Sequence, residues 1–348
     1  MSEFTQHEIT SKQKLLNANG NITEPGFAKK LYWEYSRNDI KASKIRIKEW
    51  DYYYIINDDF ALALTIADNS YMGLDSISFI HFGEDPWEQT KSPMQFFTMG
   101  SKHLPNSPEG GSVSSKGGSH SISFRKYGDI KKLSFSFRNF MGKTGIEGEI
   151  TLSLPESESM AIATPFRENP RAFYYNMKTN CMPAEGYVRL GSITYEFRKG
   201  ESWAGLDWGR GVWTYKNTWY WGSCSSSIDG VPFGFNIGYG FGDTSAATEN
   251  MIFYNNRAHK LSSVSFHIPK TCGREDYMSP WTFTSDDGRF EMDFVPIIDR
   301  AAKTDIKIIC SDQHQVFGRY SGKAVLDDGT VLEINNMIGF AEKVYNKW

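Results

Sequence analysis

The chain has 348 residues and a formal net charge of −3 at pH 7, which gives no general pull toward nucleic acid or anionic lipid, partners that need a basic face. Aromatic residues make up 15% of it, with 24 Phe, 18 Tyr and 10 Trp beside 31 Gly, and long Ala/Leu/Glu/Lys runs are missing. That is the composition of strands and turns, at a length that allows two domains or one large β domain.

The first residues, "MSEFTQHEITSKQKLL", are polar and carry no apolar stretch of a secretory leader. No apolar run approaches the roughly 18 residues that cross a bilayer. The expectation is a cytoplasmic protein without integral membrane association. "EPGFAKKLYWEYS" (24–36) reads as a short helix.

From about residue 44 onward, side chains alternate with the period of a strand. "IKEWDYYYII" (47–56) starts the first strong strand, and "FALALTI" puts Phe60, Leu62, Leu64 and Ile66 on one face. The Gly/Ser/Pro-rich segment 100–121 is similar to a phosphate-cradling loop. It lacks the Gly-Lys-Ser/Thr ending and the following helix, so a mobile surface loop, or a lid over a barrel mouth, is expected. "KLSFSF" aligns Leu133, Phe135 and Phe137, and "RFEMDF" aligns Phe290, Met292 and Phe294. Periodicity lapses near 154–173, which divides the chain into 1–165 and 166–348.

Asp-Gly pairs at 228–231, 285–290 and 326–331 predict hairpin turns. Strand following strand without helices argues for an all-β chain of two antiparallel barrels or sandwiches with few short helices. Cys181, Cys224, Cys272 and Cys310 show no CxxC spacing, so free buried thiols are expected. The seven histidines show no metal-ligand spacing, and no nucleophile elbow occurs. Neither a metal nor a cofactor is expected. His120 and His314 read as surface residues.

The stretch "WTYKNTWYWGSCSSSIDGVPFGFNIGYGFGD" (213–243) places Trp213, Tyr215, Trp219 and Trp221 on odd positions, and Gly234, Gly238, Gly240 and Gly242 on even ones. A two-residue turn at Asp229-Gly230 sets Trp221 opposite Gly238 and Trp219 opposite Gly240. Opposed residues of an antiparallel pair share a face. Either the indoles fill the space that glycine leaves, or the glycines clear the wall of a cavity that the indoles line.

Three stretches carry a resemblance: "IKEWDYYYII", "AFYYNMKTNCMPAEGYVRLGSITYEFRKGESWAGLDWGRGVW" (172–213), and "GDTSAATENMIFYNNRAHKL" (242–261) with the later "MSPWTF" and "HQVFGRYSG". Over nearly its whole length the chain resembles the family called domain of unknown function 2804. More distantly it is similar to the two-barrel, lipocalin-like group of carotenoid 1,2-hydratases, tocopherol cyclases and fungal Diels–Alder cyclases. Where that group has "EWWY", Glu49-Trp50-Asp51-Tyr52 stands here. Where it has "W-x-D-x-x-W-G", Gly205-Leu206-Asp207-Trp208-Gly209-Arg210-Gly211 stands here. Asp207 matches; Asp51 replaces a Trp, and Arg210 is an additional charge. The resemblance implies tandem lipocalin-like barrels with a ligand site in or between them, and no known reaction.

Olefin hydration or cyclisation needs a proton donor in an apolar pocket and aromatic faces for a transient cation. Asp207, with Trp203, Trp208 and Trp213 around it, is the first candidate. Glu49 and Glu249 follow, and Glu49 and Asp51 share a strand face. A structural Asp207–Arg210 ion pair and a strand-end cap at Glu249-Asn250 are the alternatives. Arg210, Trp208, Trp213, Trp219, Trp221, Asn236, Asn250 and Asp51 are the candidate ligand contacts. The leading expectation is a cofactor-independent hydratase, isomerase or cyclase acting on a small hydrophobic molecule. A non-catalytic carrier of a lipid-like ligand is the second reading. A carbohydrate-active protein, with two carboxyls about 5–10 Å apart across a cleft, is the third.

Overall fold

Every long segment is a strand, as the alternation predicts. The structure, a computed structural model, describes residues 6–305 and 310–348. Among these, helix is confined to two three-residue 3-10 turns. The principal strands of a first sheet are β1 (Ile47–Ile56), β2 (Phe60–Asp68), β3 (Met72–His81), β4 (Trp87–Lys91), β5 (Val113–Lys116), β6 (His120–Tyr127), β7 (Ile130–Met141), β8 (Thr144–Ser153), β9 (Asn169–Leu190) and β10 (Trp203–Val212). They lie in the order β4-β3-β2-β1-β10-β9-β8-β7-β6-β5.

The second sheet is built from β11 (Lys216–Ile228), β12 (Val231–Tyr239), β13 (Met251–Tyr254), β14 (Arg257–Lys260), β15 (Val264–His267), β16 (Trp281–Ser285), β17 (Phe290–Asp305), β18 (Cys310–Val325) and β19 (Val331–Lys347). Its order is β14-β13-β12-β11-β19-β18-β17-β16-β15. Both sheets are antiparallel and curled. Rings from strands distant in the order meet inside each: Tyr53 of β1 packs 4.8 Å from Phe124 of β6, and Phe235 of β12 5.0 Å from Phe290 of β17. The division read at 165/166 falls within the first sheet, since β9 and β10 follow it; sheet membership changes between Val212 and Lys216.

Each predicted Asp-Gly turn joins a hairpin. Asp229 and Gly230 both take positive φ, 50° and 80°, the conformation a type I′ turn requires. The ladder then runs from Ile228↔Val231 to Trp221↔Gly238 and Tyr220↔Tyr239.

Each sheet encloses an apolar core, and a third cluster, including Tyr54, Ala63, Phe317 and Phe340, lies between them. β2 shows how one strand serves two cores. Phe60, Leu62, Leu64 and Ile66 point into the first sheet, while Ala61 and Ala63 let the second sheet approach closely.

Four expectations give way. Segment 24–36 is not a helix: Pro25 and Gly26 interrupt it, and Gly26–Ala28 pairs with strand Met160–Phe166. Segment 100–121 is a surface loop only as far as Ser112, anchored by buried Lys102 and Leu104; Val113–Lys116 joins the ladder as β5 and His120 begins β6. His120 is buried with its Nε2 3.0 Å from Asp75 Oδ2. The cysteines are all free, but only Cys181 and Cys224 are buried; Cys272 is exposed and Cys310 half-buried.

Candidate functional site

Strand register builds two rows of side chains that face each other. On the first sheet Ser76, Thr65, Tyr52, Asp207 and Lys178 are successive cross-strand partners. On the second, Arg300, Gln315, Glu342, Trp221 and Gly238 are. The two sheets touch near both ends of these rows: Lys178 Nζ lies 3.8 Å from the centre of the Trp221 ring system, and Arg300 Nη1 donates at 2.6 Å to the Oγ of Ser78, two residues along β3 from Ser76. Between them is a cavity of about 310 Å³. Trp50, Tyr174, Trp213, Trp219 and Phe241 complete an aromatic wall, packed edge to face with ring centres 4.7–5.7 Å apart at Trp50–Trp213, Trp213–Trp219 and Trp213–Phe241.

The local sequence of β10 explains how Asp207 reaches this cavity. Gly205, Gly209 and Gly211 share its face, so the carboxylate is flanked by bare backbone. The Tyr54 and Trp50 rings of β1 lie across Gly205 and Gly209, their direct partners, where any Cβ would collide with the rings. Aromatic rings therefore do cover glycines, but on the β1–β10 pair. At Trp221 and Gly238 the vacated space holds a carboxyl: a Cβ on Gly238 would lie 2.7 Å from Glu249 Oε1. The β11–β12 ladder ends at Tyr220↔Tyr239, so Trp219 and Gly240 are not ladder partners.

Three carboxyl groups share the aromatic end. Asp207 accepts on both oxygens, from Lys178 Nζ at 3.0 Å and Asn176 Nδ2 at 2.6 Å. Glu249 is buried, its Oε2 has no hydrogen-bond partner, and burial raises its pKa, with nearby Lys178 opposing and Asp207 adding to the rise. Glu342 accepts from Trp219 Nε1 at 2.9 Å and Gln315 Nε2 at 3.0 Å. Burial nevertheless pushes its pKa up to about 7, because removing a carboxylate from water costs more than two neutral donors return.

Of the residues read from sequence, Asp207, Glu249, Trp213, Trp219 and Trp221 line this cavity. Asn236 and Asn250 stand behind it: Asn236 accepts from Trp221 Nε1 at 2.7 Å, and Asn250 accepts from the Gly238 amide at 2.7 Å. Glu49, Asp51, Trp208 and Arg210 occupy the opposite faces of β1 and β10, inside the first sheet. There Arg210 Nη2 pairs with Asp51 Oδ1 at 3.0 Å, Glu49 takes the Tyr35 hydroxyl at 2.7 Å and pairs with Arg37, and Trp208 packs on Tyr35 and Tyr175. The suggested Asp207–Arg210 pair does not form, because residues three apart on a strand point to opposite faces. The two departures from the distant group's pattern, Asp51 and Arg210, instead pair with each other.

Lys178, Glu342, Arg300, Gln315, and Trp50 and Tyr52 of the Glu49–Tyr52 motif also line the cavity, though none is among the candidate site residues read from the sequence. A signal existed for two of them. Lys178 shares the parity of Tyr174 and Asn176, and Glu342 that of Phe340 and Val344. A charged residue on an otherwise uncharged strand face marks a built polar site.

The sequence matches the family described as Domain of unknown function (DUF2804) over residues 6–348. The chain belongs to that family. No curated protein matches the sequence. Among solved structures, this DUF2804 member is similar to a Nitrosomonas europaea protein provisionally called AttH, at 10% identity and a TM-score of 0.52, with 88% of this chain and 93% of the other covered. It also aligns with kievitone hydratase from Nectria haematococca at 10% identity and a TM-score of 0.49, over 97% of this chain and 96% of that one. The first likeness is one of fold, and agrees with the all-β, barrel-like architecture described above. Among the described residues no helix is long and apolar enough to cross a membrane.

Proposed function

We propose that the cavity between the sheets is the active site of a cofactor-independent lyase or isomerase acting on an unsaturated, hydrophobic small molecule. One observation carries this reading. Glu249 presents an unpartnered buried oxygen and a raised pKa beside a Lys178-held Asp207, under aromatic walls. Protonated Glu249 is the donor: its O–H bond breaks as a C–H bond forms at the alkene, whose π electrons supply the new bond. The adjacent carbon becomes cationic, and the faces of the surrounding Trp rings stabilise it. Asp207, acceptor on both oxygens, stabilises that charge. It also takes the proton released when water adds, or when a neighbouring C–H bond breaks to move the double bond. The first outcome is hydration and the second isomerisation. Glu342, by accepting from both, fixes the Trp219 and Gln315 side chains beside the reacting carbons.

The test begins with the small molecule that copurifies from the native host, identified by mass spectrometry after extraction. Incubated with protein in heavy water, it is expected to take up deuterium at carbon. Glu249→Gln is expected to slow that uptake about 10²–10⁴-fold while still binding the compound. A ligand that binds and is returned unlabelled and unchanged identifies a carrier and overturns the enzymatic reading.

A further inference from the structure

The charges around the cavity do not balance evenly from end to end. At the aromatic end Lys178 is paired with Asp207. At the other end Arg300 lines the cavity and forms no ion pair among the described residues. Its Nη1 donates to the neutral Ser78 hydroxyl, and its Nε is buried without a hydrogen-bond partner. Glu88, the remaining carboxyl at this end, receives the Thr90 hydroxyl at 3.0 Å and makes no ion pair with Arg300. Its strand neighbours Ala301 and Ala302 and, on the facing sheet, Ser76 also line the cavity and carry no charge. A guanidinium so placed, with unused donors in a partly enclosed cavity, calls for an anion.

Resting on the active-site reading above, we infer that the substrate is an amphipathic carboxylic acid whose carboxylate docks on Arg300. Arg300 and Glu342 belong to one cross-strand row with Gln315 between them, so their backbones are two strand spacings apart, about 10 Å. A carboxylate held at Arg300 therefore sends a rigid apolar body of one or two fused rings along the row. Its far carbons arrive among Trp221, Glu249 and Glu342. The carboxylate neutralises the cavity's one unpaired cation among the described residues, and the two-oxygen anion matches the planar fork of the guanidinium. Arg300 thereby sets which end of the molecule meets the acid.

Two probes of the same shape and different charge, 2-naphthoate and 2-naphthamide, test this by calorimetric titration. The wild-type protein is expected to bind the naphthoate at least tenfold more tightly. Arg300→Met is expected to erase that preference while binding naphthamide as before, which also shows that the cavity is intact. Arg300→Lys keeps the charge but not the fork, and is expected to retain only part of the preference. Equal binding of the two probes by the wild type, no binding of either, or a preference that survives Arg300→Met would overturn the inference. These titrations read only binding, so a failure here is separable from a failure of deuterium uptake at Glu249.

Discussion

Glu342 couples the site to the stability of the fold. Its carboxyl has an ordinary value of 4.5 and is held at about 7 by burial between the sheets. The folded chain therefore binds more protons than the unfolded chain between those values. This group's contribution to stability is therefore complete below pH 4.5 and is lost as pH rises through 7. A shift of that size is worth on the order of 3 kcal/mol. Glu342→Gln is expected to remove most of the fall in urea midpoint between pH 5 and pH 8, and to be the more stable protein at pH 8. Glu249, raised by the same cause, keeps a residual slope. A variant as pH-sensitive as the wild type would show that Glu342 is ionised throughout. At this scale the sequence exposed Asp207 and Glu249 as candidates. Glu342 showed only as a charge on the apolar face of Phe340 and Val344, and nothing along the chain told that a second sheet would cover it.

β10 shows what a single element contributes. Its Gly205, Gly209 and Gly211 leave Asp207 the one side chain among four successive same-face positions, and the rings of β1 rest on two of those glycines. The Gly209 position has no room for a methyl group beside Trp50, itself part of the cavity wall. Gly209→Ala is expected to cost about 1–3 kcal/mol and to weaken naphthamide binding, both measurable by denaturation and calorimetry. Unchanged binding with a displaced Trp50 would remove that indole from the ligand wall. The hairpins were legible because turn chemistry is local: Asp-Gly tolerates positive φ wherever it occurs. The helix expected at 24–36 failed for the opposite reason. Its Phe27 and Ala28 find an edge to pair with in Met160–Phe166, more than a hundred residues away.

At the scale of the molecule, the two curled sheets are joined by a buried seam. Tyr54 donates or accepts at Ser223 and Ser225, both at 2.8 Å, and Phe340 packs against Tyr54, Trp221 and Phe317. The same seam opens into the cavity at Trp221, so cohesion and site share residues. Phe340→Ala is expected to cost about 3–5 kcal/mol. Because the loss falls between the sheets, differential scanning calorimetry is expected to resolve two transitions in place of one. One cooperative transition at a lower temperature would mean that other seam contacts suffice to couple the sheets.

Everything set by neighbours along the chain can be read from the residues alone. Strand follows strand because side chains alternate, hairpins close at Asp-Gly, and Trp213, Trp219 and Trp221 share a parity. The pattern of β1 and β10 likewise dictates that Glu49 and Asp51 point away from Trp50 and Tyr52. Which of those two faces became a site depended on how the sheets pack. Alternation tells which residues share a face and is silent about what lies across from it. The second sheet lies across from Trp50, Tyr52 and Asp207, bringing Glu342, Gln315 and Arg300 from about a hundred residues downstream or more. Asp51 and Arg210 were left to neutralise each other inside the first sheet. A carboxyl changes its chemistry when water is excluded around it, and that exclusion is made by two surfaces meeting.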